Sequence, residues 1–405
     1  MKVPLASSGL RDSDLKEAVR VLESGNLTMG VEVKKFEALM ANYLGVKHFV
    51  MTNSGSSANL LMIEALMRPT LKRPSLNPGD TILVPAIAWP TTVWPLIQLG
   101  LNPLFVDVDK DSLAIDLNLA QQTIESSRIN VRGIFPIHPL GYAIDSIALE
   151  GFAEQNELVL INDVCESLGS WRGDIHAGIC GVASSFSFYF SHHITTIEGG
   201  GIATNDDLVA NDLLSMRSHG WSRDRRDIKN WNHELSTNDS KFLFVSTGYN
   251  LRPMEIQAAI GSNQIPFIDE FVERRRRIAR KVSQSLENSK LKVIGSETLG
   301  NSILEESHSW MLIPIVVTGQ DAATVKREIV HRLEGMGIET RPVLTGNFLS
   351  QPAIKRITGN TIQADTFKVA TEITERAFLV GAHHDLSDEQ IDFLCFSLTK
   401  VSGRN

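Results

Sequence analysis

The residues best suited to chemistry are two adjacent histidines, His192 and His193, in the segment SFYFSHHITTIEGG at positions 187–200. An imidazole has an ordinary pKa of roughly 6.5 and can therefore accept and donate protons near neutral pH. Adjacent side chains on extended backbone point apart, and no Asp, Glu or Cys cluster stands close in sequence, so a metal site is not expected here. We expect one histidine to act on protons and the other to be a structural or solvent-facing neighbour.

A second candidate is the segment NSGSSAN at positions 53–59, which follows a predicted strand and opens a predicted helix at Leu60–Met67. A glycine and small hydroxyl residues at such a turn expose backbone N–H groups at the positive helix end. Gly55, Ser56 and Ser57 are therefore candidates for holding a phosphate. A serine-rich N-cap with no ligand is the alternative.

Two further strand ends carry side chains that could hold a planar heterocycle. Trp89 follows the predicted strand Thr81–Pro85, where open α/β sheets bind ligands, although it could instead pack in the core at the sheet edge. Asp163 ends the apolar run LVLIND and would suit a protonated pyridine nitrogen, and Glu166 follows three residues later. The alternative for both carboxylates is a helix cap. A phosphate cradle, a stacking ring and a carboxylate together are the equipment for pyridoxal phosphate.

Alternating short apolar runs and helical patterns must place these residues. Helix patterns cover 14–23, 31–44 and 254–280, and strand candidates are 49–53, 81–85, 104–108, 133–138, 158–163 and 185–190. This alternation predicts an α/β fold with a mainly parallel sheet covered on both faces. Because the pattern changes near Asn250, we predict a large domain at 1–265 and a smaller C-terminal α/β domain at 266–405.

Composition excludes several classes of protein. A net charge of −8 gives no footprint for nucleic acid, and the basic run Arg274–Arg277 with Arg280 is expected to be a solvated helix face. Only three cysteines occur, which disfavours a disulfide framework, and no apolar run is long enough to span a membrane. We expect a cytoplasmic protein.

The order of the motifs resembles the DegT/DnrJ/EryC1/StrS sugar aminotransferases, which are fold type I pyridoxal phosphate enzymes. The resemblance rests on NSGSSAN, VPAIAW, INDVCESLG, SFYFSHHITTIEGG and GYNLRPMEIQAAIG, and it runs from PLASSGL to TRPVLTGNF. In that family the fourth segment supplies the lysine that binds the cofactor covalently, and His192 stands at that position here. No lysine occurs between Lys110 and Lys229, so we expect pyridoxal or pyridoxamine phosphate to be held non-covalently, with Ser187 adding a hydroxyl to the phosphate site.

Histidine at the lysine position resembles the nucleotide-sugar 3-dehydratases, and the most similar branch acts on GDP-4-keto-6-deoxymannose. That resemblance implies removal of the C3 hydroxyl for O-antigen or other glycan synthesis, proton transfer by His192, and glutamate as the amino donor. A related branch holds an iron–sulfur cluster on cysteines, but no cysteine lies between Trp221 and Tyr249. We therefore expect no such cluster.

The same resemblance implies contacts beyond the cofactor. Asn250 in GYN corresponds to a residue that reaches the phosphate of the neighbouring subunit, which implies a homodimer with shared active sites. Arg217, His219 and Arg223 in RSHGWSR, with Arg341 in TRPVLTGNF, are candidates for binding the sugar nucleotide. Surface salt bridges would explain these basic residues equally well.

Two other functions stay open at this stage. A sugar aminotransferase would need a lysine from a distant segment, and a non-catalytic binding protein would need no proton carrier at position 192. The nucleotide is also open, because base recognition by loops has no readable sequence code.

Overall fold

A computed structural model describes residues 1–68, 75–231, 242–301, 304–359 and 362–403. Its strands are β1 (His48–Thr52), β2 (Thr81–Pro85), β3 (Asn102–Val106), β4 (Val131–Ile134), β5 (Val159–Asp163), β6 (Trp171–Arg172), β7 (Ile175–His176), β8 (Ala183–Ser187), β9 (Gly200–Thr204), β10 (Leu291–Val293), β11 (Leu312–Val317) and β12 (Ala377–Gly381). Its α-helices are α1 (Asp12–Ser24), α2 (Val31–Leu44), α3 (Gly55–Leu66), α4 (Pro90–Gln98), α5 (Leu117–Ser126), α6 (Ser146–Gln155), α7 (Asp207–Met216), α8 (Glu255–Gln264), α9 (Ile268–Ser285), α10 (Ala322–Gly335), α11 (Pro352–Ile357), α12 (Lys368–Arg376) and α13 (Asp388–Val401).

The largest element is a seven-stranded sheet in the order β1-β9-β8-β5-β4-β2-β3. Strand β9 runs antiparallel to both of its neighbours, and the other six strands share one direction. The predicted α/β fold with a mainly parallel sheet is confirmed. Because six strands share a direction, the carboxyl ends of β2, β5 and β8 meet at one edge.

Both faces of this sheet are covered, as the apolar strand runs predict. Val50 in β1 belongs to a core cluster with α3 and α7, whereas its neighbours Phe49 and Met51 pack with residues of α2, α8 and α9. Alternate side chains of one strand thus enter two different cores. Aspartate N-caps start three of the covering helices: Asp116, Asp145 and Asp206 each accept two backbone N–H groups of the first turn.

The C-terminal part of the chain forms a smaller sheet, β10-β11-β12, in which both pairs of strands are antiparallel. A separate apolar cluster joins this sheet to α9, α10 and α13. The predicted boundary at residue 265 falls directly after α8, and the division into two domains stays a prediction.

The apolar residues of the helix pattern predicted at 14–23 form a stripe on α1 that does not face the core. Leu15, Val19 and Leu22 are all about half exposed, whereas Asp14 on the opposite side is buried. The Asp14 carboxylate accepts hydrogen bonds from Asn263 and Gln264, so α1 is attached to α8 through polar contacts. The apolar stripe of α1 is therefore available for contact outside the single chain.

The expectation that the arginine run on α9 forms a solvated helix face is wrong. Arg277 is exposed, but Arg274, Arg276 and Arg280 are half-buried, and Arg275 is only 1% exposed. The reason is that α9 packs between the two parts of the fold, and its arginines donate to backbone carbonyls there. No helix in the described ranges is long and apolar enough to cross a bilayer.

Candidate active site

A cavity of about 340 Å³ opens at the carboxyl edge of the large sheet. Eight of the residues proposed from the sequence line it: Gly55, Ser56, Trp89, Asp163, Glu166, Ser187, His192 and Arg341. We call the lining residues between 54 and 198 the N-terminal wall. The other lining residues, Met311, Leu312, Arg341, Leu344 and Leu379, are called the C-terminal wall.

Asp163 is held in place by neutral donors. One carboxylate oxygen accepts hydrogen bonds from Asn59 Nδ2 and Thr92 Oγ1, each at 2.8 Å, and the other accepts from the backbone N–H of Cys165 at 3.1 Å. The residue is only 4% exposed. A buried carboxylate fixed without a cation favours a positively charged partner, such as a protonated ring nitrogen.

The residues that orient this carboxylate, Asn59 and Thr92, were not predicted from the sequence. Asn59 lies in the first turns of α3 and Thr92 starts α4, so both reach Asp163 only through the tertiary fold. The sequence signal for these two residues was their position: Asn59 ends the NSGSSAN segment, and Thr92 follows Trp89 by three residues.

The start of α3 forms the candidate phosphate site. Ser54, rather than Ser57, caps the helix: its Oγ accepts from the Ser57 N–H at 3.1 Å and donates to Ser57 Oγ at 2.9 Å. Ser57 is thus occupied by the cap and does not line the cavity, whereas Ser54 does. A Cβ atom on Gly55 would lie 2.6 Å from Ser187 Cβ, so a glycine is required where α3 approaches β8. Gly55 and Ser56 begin a helix whose first N–H groups have no intrahelical acceptors, which suits an anion.

Trp89 lines the cavity rather than packing in the core. It is the N-cap residue of α4 and is 49% exposed. No aromatic ring in the described ranges is paired with it. Its face is therefore available to a planar ligand.

Glu166 supplies a second carboxyl group beside Asp163. One of its oxygens accepts the backbone N–H of Leu140 at 2.8 Å. Burial raises the pKa of Glu166 to about 7, and the negative charge of Asp163 adds to the effect. Glu166 can therefore donate or accept a hydrogen bond near neutral pH.

His192 lies in the turn that follows β8, and its backbone N–H donates to the Tyr189 carbonyl at 2.9 Å. Its Nδ1 atom is buried without a hydrogen-bond partner among the described residues. Burial, together with the positive charge of Arg275, lowers the pKa of His192 to about 4. The imidazole is therefore neutral at pH 7 and able to accept a proton.

His193 is structural. Its side chain is fully buried, and Nε2 lies 3.3 Å from the Ser309 carbonyl. Burial, together with the charge of Arg275, holds the pKa of His193 well below its usual value. The structural interpretation of His193 therefore holds, and the solvent-facing one does not.

The C-terminal wall brings Arg341 to the cavity. The Arg341 side chain is exposed, and its backbone pairs with Leu379 of β12. In the same segment, Thr345 Oγ1 donates to the carbonyl of Ala88 at 2.7 Å, beside Trp89. No lysine is among the lining residues of this cavity in the described parts of the chain.

Besides Ser57, four proposed residues lie outside the cavity of their own chain: Asn250, His219, Arg223 and Arg217. Asn250 is exposed, and its segment pairs with the RSHGWSR segment through the bridge between Ser218 and Asn250. His219 is exposed with φ 64°, and the Arg223 guanidinium lies 4.1 Å from the Trp221 ring centroid.

Arg217 does not fit its expected role, which was to bind the sugar nucleotide in the cavity of its own chain. It is 3% exposed, and NH1 donates to Glu37 at 2.5 Å and to the Met51 carbonyl at 2.7 Å. Because this guanidinium is buried in an ion pair beside β1, Arg217 is a structural residue here and is not available to a ligand in the cavity.

The fold and the cavity define the class of the protein. A mainly parallel seven-stranded sheet of this order, with a cavity at its carboxyl edge, matches the structures of fold type I pyridoxal phosphate enzymes. The residues present fit that cofactor: the hydrogen-bonded carboxylate of Asp163, the exposed indole of Trp89, and the start of α3, which contacts Ser187. The chain belongs to the DegT/DnrJ/EryC1/StrS aminotransferase family, whose profile matches residues 9–399.

Similar proteins were found by sequence and by structure. The chain is 36% identical over 389 residues to a GDP-4-keto-6-deoxy-D-mannose 3-dehydratase of Yersinia pseudotuberculosis, covering 95% of each protein. It superposes with a TM-score of 0.88 and 33% identity on the Escherichia coli GDP-4-keto-6-deoxy-D-mannose 3-dehydratase with bound hydrated pyridoxal phosphate, covering 98% of this chain and 99% of that one. A second structure, of a GDP-4-keto-6-deoxymannose 3-dehydratase with a trapped pyridoxal phosphate–glutamate geminal diamine, gives a TM-score of 0.86 at 32% identity, covering 98% of this chain and 100% of that one.

These comparisons establish the chemistry of the family. Its members are pyridoxal phosphate enzymes that modify nucleotide sugars, and they include both 3-dehydratases and sugar aminotransferases.

Proposed function

We propose that this chain is a nucleotide-sugar 3-dehydratase that uses pyridoxamine and pyridoxal phosphate bound non-covalently. It removes the C3 hydroxyl of a 4-keto-6-deoxyhexose carried on a nucleoside diphosphate, with GDP-4-keto-6-deoxymannose as the expected substrate. The observation that carries the proposal is an imidazole, His192, in a cavity whose lining contains no lysine among the described residues. The similarity to relatives named 3-dehydratases supports it.

The N-terminal wall binds and orients the cofactor in this proposal. Asp163 holds the protonated ring nitrogen, Trp89 stacks on the ring, Glu166 is in reach of its polar substituents, and Gly55, Ser56 and Ser187 contact the phosphate. When bound, pyridoxamine phosphate supplies an amine for the C4 ketone of the sugar and a ring that accepts electron density. Arg341 is placed to bind the sugar nucleotide from the C-terminal wall.

His192 moves the protons. It takes one from the C4′ carbon of the cofactor and delivers it to the C3 hydroxyl, which departs as water. A base whose pKa lies below the working pH is ready to accept that proton. Overall, the C3 oxygen leaves as water, and hydrolysis at C4 restores the ketone and releases the nitrogen from the cofactor as ammonia. Glutamate would then give its amino group to the cofactor and become 2-oxoglutarate, which restores the amine form.

The other two functions are less well supported. An aminotransferase needs an amine that captures the aldehyde form of the cofactor, and the described cavity lining has none. A protein that only binds ligands needs neither the anchored Asp163 nor an imidazole with an unpaired, buried Nδ1 atom.

We propose a homodimer with shared sites. The exposed apolar side chains of α1, together with the exposed Phe190, Ile197 and Met254, would be covered by a second copy. Asn250 is exposed and lies outside its own cavity, which suits a contact with the phosphate in the partner's site. His219 and Arg223 lie on the same pair of segments and are proposed to reach the partner's sugar nucleotide.

The experiment that tests the function is one incubation with pyridoxal phosphate, glutamate and GDP-4-keto-6-deoxymannose, followed by mass spectrometry of the sugar nucleotide. We expect loss of one oxygen with no nitrogen retained. His192→Asn should abolish the product and keep cofactor binding, whereas the exposed control His331→Asn should behave as the wild type.

Two other outcomes have distinct meanings. An aminosugar product would show transamination and overturn the dehydratase assignment. If neither the GDP sugar nor other nucleoside diphosphate sugars are changed, the binding-protein interpretation replaces it.

A further inference from the structure

Arg275 is the most deeply buried cation next to His192, and the proposed chemistry does not yet use it. We propose that Arg275 is a positioning residue that fixes the His192 loop against the C-terminal wall and keeps the His192 imidazole unprotonated. The inference rests on the proposed function, in which His192 must accept a proton.

The geometry carries the first half of the proposal. From α9, Arg275 NH2 donates to the His192 carbonyl at 3.1 Å, and NH1 donates to the Met311 carbonyl at 2.9 Å and to the Trp310 carbonyl at 3.5 Å. Met311 is part of the C-terminal wall. One guanidinium group therefore joins the loop that carries the proton acceptor to the wall facing the substrate.

The charge of Arg275 carries the second half. No carboxylate in the described ranges lies within ion-pair distance of it. Asp385, the acid that acts on it electrostatically, is hydrogen-bonded to Ser7 Oγ at 2.6 Å. Burial lowers the pKa of Arg275 to about 10, so it stays charged at neutral pH. Burying a cation without a paired anion costs free energy of folding, so the position of Arg275 calls for a role that offsets this cost.

That role follows from the charges around His192. The groups that face it or its immediate surroundings are the cavity residues Asp163, Cys165, Glu166, Tyr189, Glu198 and Arg341, the buried neighbours Arg275 and His193, and His384 beyond them. Of the charged groups among these, Arg275 acts on the His192 imidazole, and it disfavours an imidazolium as burial does. Arg275 thus adds to the effect of burial at His192.

A purely structural tie is the alternative, and α9 provides a matched control. Arg276 also donates to backbone carbonyls, from Nε to His308 and from NH2 to Glu306, each at 3.0 Å, and it does not contact His192. Arg276→Gln therefore removes a comparable tie of the same helix. Arg275→Gln removes the charge, and Arg275→Lys keeps the charge but loses the planar fork.

The first readout is the pKa of His192 in the cofactor-free protein, measured by NMR with His192→Asn to assign the signal. We expect Arg275→Gln to raise it by about one unit. Arg275→Lys and Arg276→Gln should leave it unchanged. This measurement needs no substrate, so it tests the inference even if the proposed reaction is wrong.

The second readout is turnover across pH. We expect Arg275→Gln to move the acid limb of the kcat profile upward with the His192 pKa. Arg275→Lys should lower kcat about tenfold with little change in KM, because the loop is less firmly placed. The inference is overturned by an unchanged His192 pKa in Arg275→Gln, by wild-type kcat in Arg275→Lys, or by equal effects in Arg276→Gln. If Arg275→Gln does not fold, the kcat of Arg275→Lys against that of Arg276→Gln decides.

Discussion

At the scale of single residues, the proposal makes position 192 the one that determines whether the cavity can hold a pyridoxal phosphate covalently. A neutral imidazole can carry a proton but cannot form a stable imine with an aldehyde, whereas the lysine of the related enzymes can. The free Nδ1 atom and the lowered pKa of His192 suit the first task.

We predict that His192→Lys restores a covalent link. After incubation with pyridoxal phosphate and borohydride, the intact mass of this variant should increase by one reduced cofactor. The wild type should not gain this mass, because no lysine lines its cavity in the described chain. His331→Lys, which places a new lysine on the surface, is the control. Equal labelling of all three proteins would show that the cavity lysine makes no difference.

The sequence was informative for residues at strand ends and uninformative for their partners. Asp163 was predicted because an acidic residue after an apolar strand is unusual. Thr92 and Asn59 could not be predicted, because they reach Asp163 across 71 and 104 positions of the chain. Arg275 was misjudged for a related reason, since four adjacent arginines are typical of a solvated helix and only the packing of α9 buries one of them.

At the scale of elements, the local pattern located six of the seven strands of the large sheet. The predicted strand at 81–85 matches β2, and the other five predicted strands are displaced by up to four residues at their ends. Strand β9 was missed, because Gly200 and Gly201 have low strand propensity and the pairing with β1 and β8 determines the conformation.

Glycines in β9 and α3 allow a close approach that a side chain would block. A Cβ atom on Gly200 would lie 2.4 Å from the backbone N of Gly55, at the start of α3. The Glu-Gly-Gly end of the SHHITTIEGG segment therefore lets α3, whose start is the candidate phosphate site, approach the sheet.

We predict that Gly55→Ala weakens binding of pyridoxal phosphate at least about tenfold, equivalent to roughly 1.4 kcal/mol. The added Cβ would lie 2.6 Å from Ser187 Cβ and 3.1 Å from Cys165 Sγ, so α3 must move away from the phosphate site. Absorbance titration measures the affinity. Gly151→Ala, in an exposed position of α6 with no atom within 4 Å of the new Cβ, should bind as the wild type does. Unchanged affinity in Gly55→Ala would contradict the assignment of the phosphate site.

At the scale of the whole molecule, the proposed sharing of sites between subunits can be tested by complementation. We predict that His192→Asn and Asn250→Ala are each inactive alone and active when co-expressed. In the mixed dimer one site would then combine an intact His192 with an intact Asn250 from the partner. Activity should approach half of the wild-type value per mixed dimer. If Asn250 acted within its own chain, the mixture would stay inactive.

Acid should unfold the whole molecule well above the pH at which carboxylates titrate. Burial lowers the pKa of seven of the 11 histidines: His138, His176, His192, His193, His308, His383 and His384. Because these groups bind protons more weakly folded than unfolded, their stabilisation is present above pH 6.5 and is lost as pH falls toward 4. One histidine lowered to about 4 already accounts for roughly 3 kcal/mol.

Urea unfolding of the cofactor-free protein at pH 8, 6.5 and 5 measures this effect. We expect a small change in the unfolding midpoint between pH 8 and 6.5 and a large drop by pH 5. A midpoint that stays constant down to pH 5 would mean that the histidines are solvated in solution.

The division of the cavity into two walls has a consequence for how such proteins change over generations. Within one chain, the groups proposed to hold the cofactor and carry the proton come from residues 54–198, whereas the C-terminal wall is built from 311–379. Mutations that reshape the second segment can accumulate while the catalytic apparatus stays intact. We therefore expect laboratory selection for new substrates to be most productive when the mutations are confined to residues 311–379.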